Sequence, residues 1–421
     1  LPQTPATAVR AEPPAPSRRG ACPTLREPMP TGDGLLARFR PIDSTLTPAA
    51  LTAVARAAEA YGNGLIEITA RGSLQVRGLT AATAAPLARA IRAAVAVEEG
   101  VPIETAPLAG LDPAERADPR PLAAALRRAI ANAGLAERLS PKVTVIVDGG
   151  MILASLAADI RVEAAEGGWR IDAGEALGEA AAIAATLGKL DAIAARGPLA
   201  RARRPAPAAS IPAPIGTLEL ADGTHALGLA LPFGSIEAPA LAAFAEAAGN
   251  AGAREVRLAP RRGFYVVGPG AGAVTRLRQR AAALGFVADP ADPRLAIAAC
   301  AGRDGCASGG IATRALAARL AQAAPSFLDG SIALHVSGCA KGCAHPRPAS
   351  LVLVGQPDGT CGLVFAGSAS AEPAAVFPAG AIPAGFLMLE RLYRAREHAQ
   401  ESAAEWLVRL GPEGIAAALR G

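Results

Sequence analysis

The chain has 421 residues, 51% of them hydrophobic, with a net charge of +5 and a pI near 9.1. That length buries a full core in about two to four domains. No uninterrupted apolar run reaches the ~20 residues of a membrane span, and no charged segment followed by an apolar one opens the chain, so no secretory signal is expected. Aromatic residues are only 3%, too few for base-stacking platforms on single-stranded nucleic acid. Neither nucleic acid nor membrane is expected as a partner.

Residues 1–20 are rich in Pro, Ala and Arg without periodicity and read as a disordered leader. Residues 35–41, LLARFRP, read as a strand. Residues 47–62 read as a helix, with Thr47 as N-cap and Pro48 at its first position. Residues 64–78, GLIEITARGSLQVRG, alternate like a two-strand hairpin. A helix over 121–134 and strands over 142–150 and 159–165 form a second kind of unit. Residues 198–215, PLARARRPAPAASIPAPI, read as an interdomain linker.

After the linker the order recurs: a strand at 226–232, a helix at 237–252 and a hairpin at 254–268. Leu51 and Leu241, Arg71 and Arg261, and Gly78 and Gly268 share one offset of 190 (261 − 71). A constant offset across helix and hairpin points to duplication. The second kind of unit recurs too, as a helix at 311–324 and strands at 331–338 and 350–355. An amphipathic helix at 385–400 follows, with Phe386, Leu389, Leu392 and Tyr393 as core candidates. The expected boundaries are 21–110 and 216–290 for the repeated half-domains, and 111–197 and 291–421 for the larger units.

Four of the six cysteines fall in two tight pairs. Cys300 and Cys306 are spaced C-x5-C, and Cys339 and Cys343 C-x3-C. Four thiolates suit zinc or a [4Fe–4S] cluster. Zinc ligands are usually two to four residues apart, which leans against zinc. Gly302, Gly305, Gly309, Gly310, Gly338 and Gly342 surround them, and glycine lets backbone N–H groups reach cluster sulfur. Two disulfides or buried structural thiols are the alternatives. Six cysteines in a chain this long are not a secreted disulfide scaffold, so a reducing cytoplasm is expected. Cys22 is a free thiol near the start, and Cys361 lies in a turn and reads as a bystander.

Only three lysines occur: Lys142, Lys189 and Lys341. Of four histidines, His225 and His335 read as structural and His398 as surface. His345, two residues past Cys343, is a candidate ligand or acid/base. No facial triad is visible, and no G-x-G-x-x-G follows a strand, so a built-in nicotinamide fold is not expected.

Cysteine spacing and duplication together resemble the sulfite/nitrite reductase superfamily, from about residue 20 to 420. ITARGSLQVRG looks like that family's tetrapyrrole-binding hairpin, with Thr69, Arg71 and Gln75 in the Thr-x-Arg…Gln pattern. LSPKVTV looks like its Leu-Pro-x-Lys segment and puts Lys142 on a basic ligand position. The resemblance implies an α+β, internally duplicated fold: ferredoxin-like half-domains plus two larger α+β units.

SGCAKGCAHPRP departs from the reductases, which have Asn between the last cysteines and Arg-Pro after them. With RGACPTLREPMPTGDGLLARF and VDGG, it resembles the precorrin-3B synthase branch. That resemblance implies an O2-dependent monooxygenase of aerobic cobalamin synthesis, acting on precorrin-3A at C20 with γ-lactone formation. It further implies a [4Fe–4S] cluster, a non-haem iron and an external electron donor, either reduced nicotinamide or a ferredoxin-type reductase. Arg71, Gln75, Arg77, Lys142 and Arg262 are then candidate substrate contacts, since arginine forks bind carboxylates bidentately. Lys341 and His345 are candidate catalytic residues, and Cys300, Cys306, Cys339 and Cys343 hold the cluster. The alternatives are a siroheme-dependent sulfite or nitrite reductase, and a non-enzymatic electron-transfer or tetrapyrrole-carrier protein.

Overall fold

The computed structural model describes residues 22–150, 153, 156–202 and 213–420. The leader expected at 1–20 and most of the linker expected at 198–215 lie outside those residues.

The first repeat runs β1 (Met29–Thr31), β2 (Gly34–Phe39), β3 (Thr45–Leu46), α1 (Pro48–Tyr61), β4 (Leu65–Ile68), β5 (Leu74–Leu79) and α2 (Ala81–Ala94). The Thr47 hydroxyl accepts from the Ala50 N–H at 3.1 Å and caps α1, a contact worth about 1 kcal/mol. The first larger unit follows: β6 (Ile103–Glu104), α3 (Arg120–Asn132), β7 (Val145–Asp148), β8 (Ile160–Ala165), β9 (Gly168–Ile171), β10 (Ala176–Leu177) and α4 (Glu179–Ala194). Ile103 and Glu104 were expected in the half-domain. They pair in parallel with Val145 and Ile146 instead, so the larger sheet begins before residue 111.

The second repeat is β11 (Gly216–Glu219), β12 (His225–Ala230), β13 (Ser235–Glu237), α5 (Ala238–Asn250), β14 (Glu255–Ala259), β15 (Gly263–Val267) and α6 (Ala271–Ala283). The second larger unit is β16 (Ile297–Ala299), α7 (Thr313–Ala323), β17 (Leu334–Ser337), β18 (Ala349–Gly355), β19 (Thr360–Gly367), β20 (Ala375–Pro378), α8 (Ile382–Arg394) and α9 (Ala403–Arg420), the last broken at Gly411.

The duplication extends to the backbone. Asp43 and Phe233, 190 apart, share φ values of 52° and 54° just before β3 and β13. Each of those strands crosses to the other repeat: β13 pairs with β4, and β3 pairs with β14. The half-domains therefore share one core rather than two. It includes Leu51, Leu241, Phe244, Phe264 and Phe286, with the three Phe rings 4.8–5.8 Å apart. Such ring pairs add about 0.5–1.5 kcal/mol each beyond area burial.

The cysteine-bearing sheet has parallel strands β16–β17–β18 and an antiparallel margin. Leu334 and Val336 face its helices, alternating with His335 and Ser337 on the opposite side. At the C-terminus Phe386, Leu389 and Tyr393 are core, whereas Leu392 is exposed. Among the described residues no helix is long and apolar enough to cross a membrane.

Candidate functional site

All four paired cysteines line one cleft of about 2380 Å³ between the repeats and the larger units. Arg71, Gln75, Arg77, Lys142, Arg262, Lys341 and His345 line it too, as does Cys22. A pocket for a drug-sized ligand is about 300–1,000 Å³, so this space suits something as large as a macrocycle.

The cysteines reach the cleft because both their loops leave the ends of parallel strands. Cys300 follows β16, Cys306 lies between it and α7, and Cys339 and Cys343 follow β17. The loops touch backbone to backbone. A Cβ on Gly338 would stand 3.1 Å from Gly302 Cα and 3.5 Å from Cys300 Sγ. In that contact the Gly338 N–H donates to Cys300 Sγ at 3.2 Å. The four are free thiols, which removes the disulfide alternative for this structure.

Burial raises the Cys343 thiol pKa, and Cys339, Cys300 and Cys306 raise it further as neighbouring negative charges; only Lys341 opposes them. Cys343 thus ionises against three neighbouring sulfurs, a repulsion that a cationic iron–sulfur core would relieve. Among the described residues no group of three or more His, Cys, Asp or Glu side chains, the four paired cysteines included, stands close enough together to hold a metal ion, so the two cysteine loops would have to draw in around a cluster. Cys361 is buried within β19 rather than in the expected turn, and desolvation pushes its thiol up to about 12.

The candidate cations divide into held and free. Arg71 is partly exposed and forks onto Glu104, with Nε–Oε1 3.0 Å and Nη2–Oε2 2.6 Å. Arg40 shares that carboxylate at 3.0 Å. Two guanidiniums hold the Glu104 carboxyl below its usual range despite complete burial.

Arg77 and Gln75 line the cleft with several protein partners each. Arg77 forks onto Asp33 at 2.9 and 2.8 Å, donates to the Gly305 carbonyl and is buried. Gln75 donates to Glu67 and accepts from Arg38 Nε at 2.7 Å. Glu67 also accepts from Arg314 at the start of α7. Arg77 thus reaches the Cys300–Cys306 loop, and both side chains meet the cleft with protein partners already in place.

The sequence reading missed Asp33, Glu67, Arg38 and Arg314. The alternation of LLARFRP could have placed Arg38 and Arg40 on one face, and PTGDG carries the Asp33 turn. A Cβ on Gly32 of that turn would stand 2.4 Å from Ala307 N, so the turn lies against the chain beside Cys306.

Lys142 is exposed at the cleft, and Lys341 Nζ donates to Ser308 Oγ at 3.1 Å. Arg262 donates to the Ala344 carbonyl at 2.8 Å. Burial and the arginines Arg347, Arg262 and Arg261 lower the His345 pKa, and its Nε2 lies 3.3 Å from Pro348 O. His335 is buried as expected but not satisfied. Neither ring nitrogen has a partner, and desolvation, His345 and Arg262 lower its pKa to about 4. His225 and His398 do not line the cleft.

Residues 27–94 match the family described as nitrite/sulfite reductase ferredoxin-like half domain. The chain is 43% identical over 438 aligned positions to a precorrin-3B synthase from Sinorhizobium sp, covering 95% of this chain and 94% of that relative. It is 24% identical to the assimilatory ferredoxin-dependent nitrite reductase of Haloferax mediterranei, over 48% of this chain and 38% of the reductase. The solved structure of the Mycobacterium tuberculosis NirA protein superposes with a TM-score of 0.68 at 17% identity, covering 90% of this chain and 84% of that one. That last likeness concerns the fold alone.

Proposed function

The chain belongs to the precorrin-3B synthase family, and from that premise we propose that it hydroxylates precorrin-3A at C20 and closes a γ-lactone from the ring A acetate. It is thus an enzyme of the oxidoreductase type in tetrapyrrole and cobalamin synthesis. In the proposed balance O2 takes two electrons from an external donor and two protons. One oxygen atom enters the substrate and the other leaves as water. The observation that carries this reading is the one cleft lined both by four free thiols and by Lys142, Lys341 and Arg262, none of which has a carboxylate within ion-pair distance among the described residues.

Cys300, Cys306, Cys339 and Cys343 would hold the iron–sulfur cluster. When bound, the cluster supplies single electrons at the floor of the cleft. Lys142 and Arg262 draw substrate carboxylates onto the walls, with Arg71 offering the N–H groups that Glu104 and the Ala157 carbonyl leave unused. Lys341 sets a positive charge beside the cysteine loop. His345 holds or moves a proton. With its Nε2–H donated to Pro348 O, Nδ1 remains the basic atom, and burial keeps the ring neutral near pH 7.

His345→Ala should slow turnover by about a hundredfold, the scale of a lost general acid or base, with far less effect on substrate affinity. Rate and binding constant measured separately on cluster-loaded protein check this. Unchanged turnover would reduce His345 to a structural residue. The reading as a whole is tested by incubating the loaded enzyme with precorrin-3A, a reductant and O2 and identifying the product.

A further inference from the structure

We propose that Arg261, Arg262 and Arg347 form a carboxylate clamp on the cysteine side of the cleft, taking an acidic side chain of the tetrapyrrole. This rests on the reading of the cleft as a tetrapyrrole site and names where the macrocycle is gripped.

The duplication provides an internal comparison. The two hairpin turns meet, and the Arg261 N–H donates to the Ala70 carbonyl at 3.0 Å. The repeat-related arginines thus sit side by side. Arg71 is held by Glu104, and Arg40, Arg77, Arg201 and Arg314 each touch Glu104, Asp33, Asp159 or Glu67. Among the described residues, Arg261, Arg262 and Arg347 have no carboxylate within ion-pair distance. The charge felt most by Arg261 is Arg347, and Arg262 feels Arg261 and Arg314 more than it feels the Glu67 carboxylate, which is already shared by Gln75, Arg77 and Arg314. Gathering like charges in a part-buried cleft is unfavourable unless an anion completes the set.

The backbone is also committed to this display. Arg261 and Arg262 have φ of 64° and 65°, a left-handed turn that usually takes Asn or Gly. The first repeat has Gly72 where the second has Arg262. Room is left for the side chain, since a Cβ on Gly234 would stand 2.4 Å from Arg262 Cδ. Strained non-glycine residues of this kind gather at ligand clamps. The bond from Arg262 to Ala344 O, one residue past Cys343, ties the clamp to the cysteine loop.

The probe is uroporphyrin, which carries a carboxylate on every peripheral side chain, titrated by fluorescence against full-length, cluster-loaded protein. Arg261→Gly keeps the turn, because glycine is at home at that φ, and Arg347→Gln alters an exposed side chain. The pair of substitutions should raise Kd at least about tenfold, as expected for lost charged hydrogen bonds. Arg56→Ala, which removes one positive charge from the exposed face of α1, should change Kd less than about twofold. The methyl ester of the probe should bind wild type no better than the acid binds the double variant. Wild-type affinity retained in the double variant, or an ester that binds as tightly as the acid, overturns the clamp alone. A wild-type protein that binds no uroporphyrin overturns the clamp together with the tetrapyrrole reading.

Discussion

Cys306→Ser should yield a folded protein without iron–sulfur absorbance and without turnover, and the same result is expected at Cys300, Cys339 and Cys343. The four thiols line one cleft, are unpaired, and each of the other three raises the pKa of Cys343. Of the two remaining cysteines, Cys361 is buried in the sheet, and Cys22 lines the cleft near Arg38. Cys361→Ser should leave iron, sulfide and turnover intact. Iron and sulfide assays with electron paramagnetic resonance check both arms. A full cluster signal from Cys306→Ser would remove that residue from the ligand set.

Arg77→Ala should be the most destabilising single change at the cleft, by about 3–5 kcal/mol, the range for breaking a buried pair. It leaves the Asp33 carboxylate with only the neutral donors Thr31 and Asn63, and takes the Arg77 donor from the Gly305 carbonyl in the Cys306 loop. Urea unfolding midpoints read the loss, and iron content should fall with it because the loop loses its anchor. Burial raises the Asp33 pKa, but the Arg77 hydrogen bond and charge outweigh it, and the net shift is downward from 3.8. A depressed folded pKa stabilises above the unfolded value and fades as pH falls through the folded one. Wild type should therefore lose this contribution only below about pH 4, and Asp33→Asn should lack that acid step. A midpoint unchanged in Arg77→Ala would show that the side chain is free for ligand after all.

The duplicated helix–hairpin pattern was legible because hydrophobic period and a constant offset are local signals. The exchange of β3 and β13 was not, since two- and three-residue strands carry too little pattern to announce a partner 190 residues away. The cysteines were legible by spacing alone. The arginines were legible as cations but not as paired or free. The pairing of Arg77 was hidden because its partners, Asp33 and Gly305, are 44 and 228 residues away. Arg261 was visible only as the repeat mate of Arg71, and its freedom appears once Glu104 is seen to serve Arg71 and Arg40. His335 lay in an apolar strand and read as satisfied; alternation predicts burial but says nothing about hydrogen-bond partners.

The most direct measurement gives cluster-loaded protein precorrin-3A, a reductant and isotopically heavy O2, and takes the mass of the product beside the absorption spectrum of the enzyme. The proposed function predicts a product one oxygen atom heavier, carrying the label, from an enzyme with a broad iron–sulfur shoulder and no haem bands. Stoichiometric siroheme in the purified protein, with reduction of sulfite or nitrite and no labelled product, would contradict it.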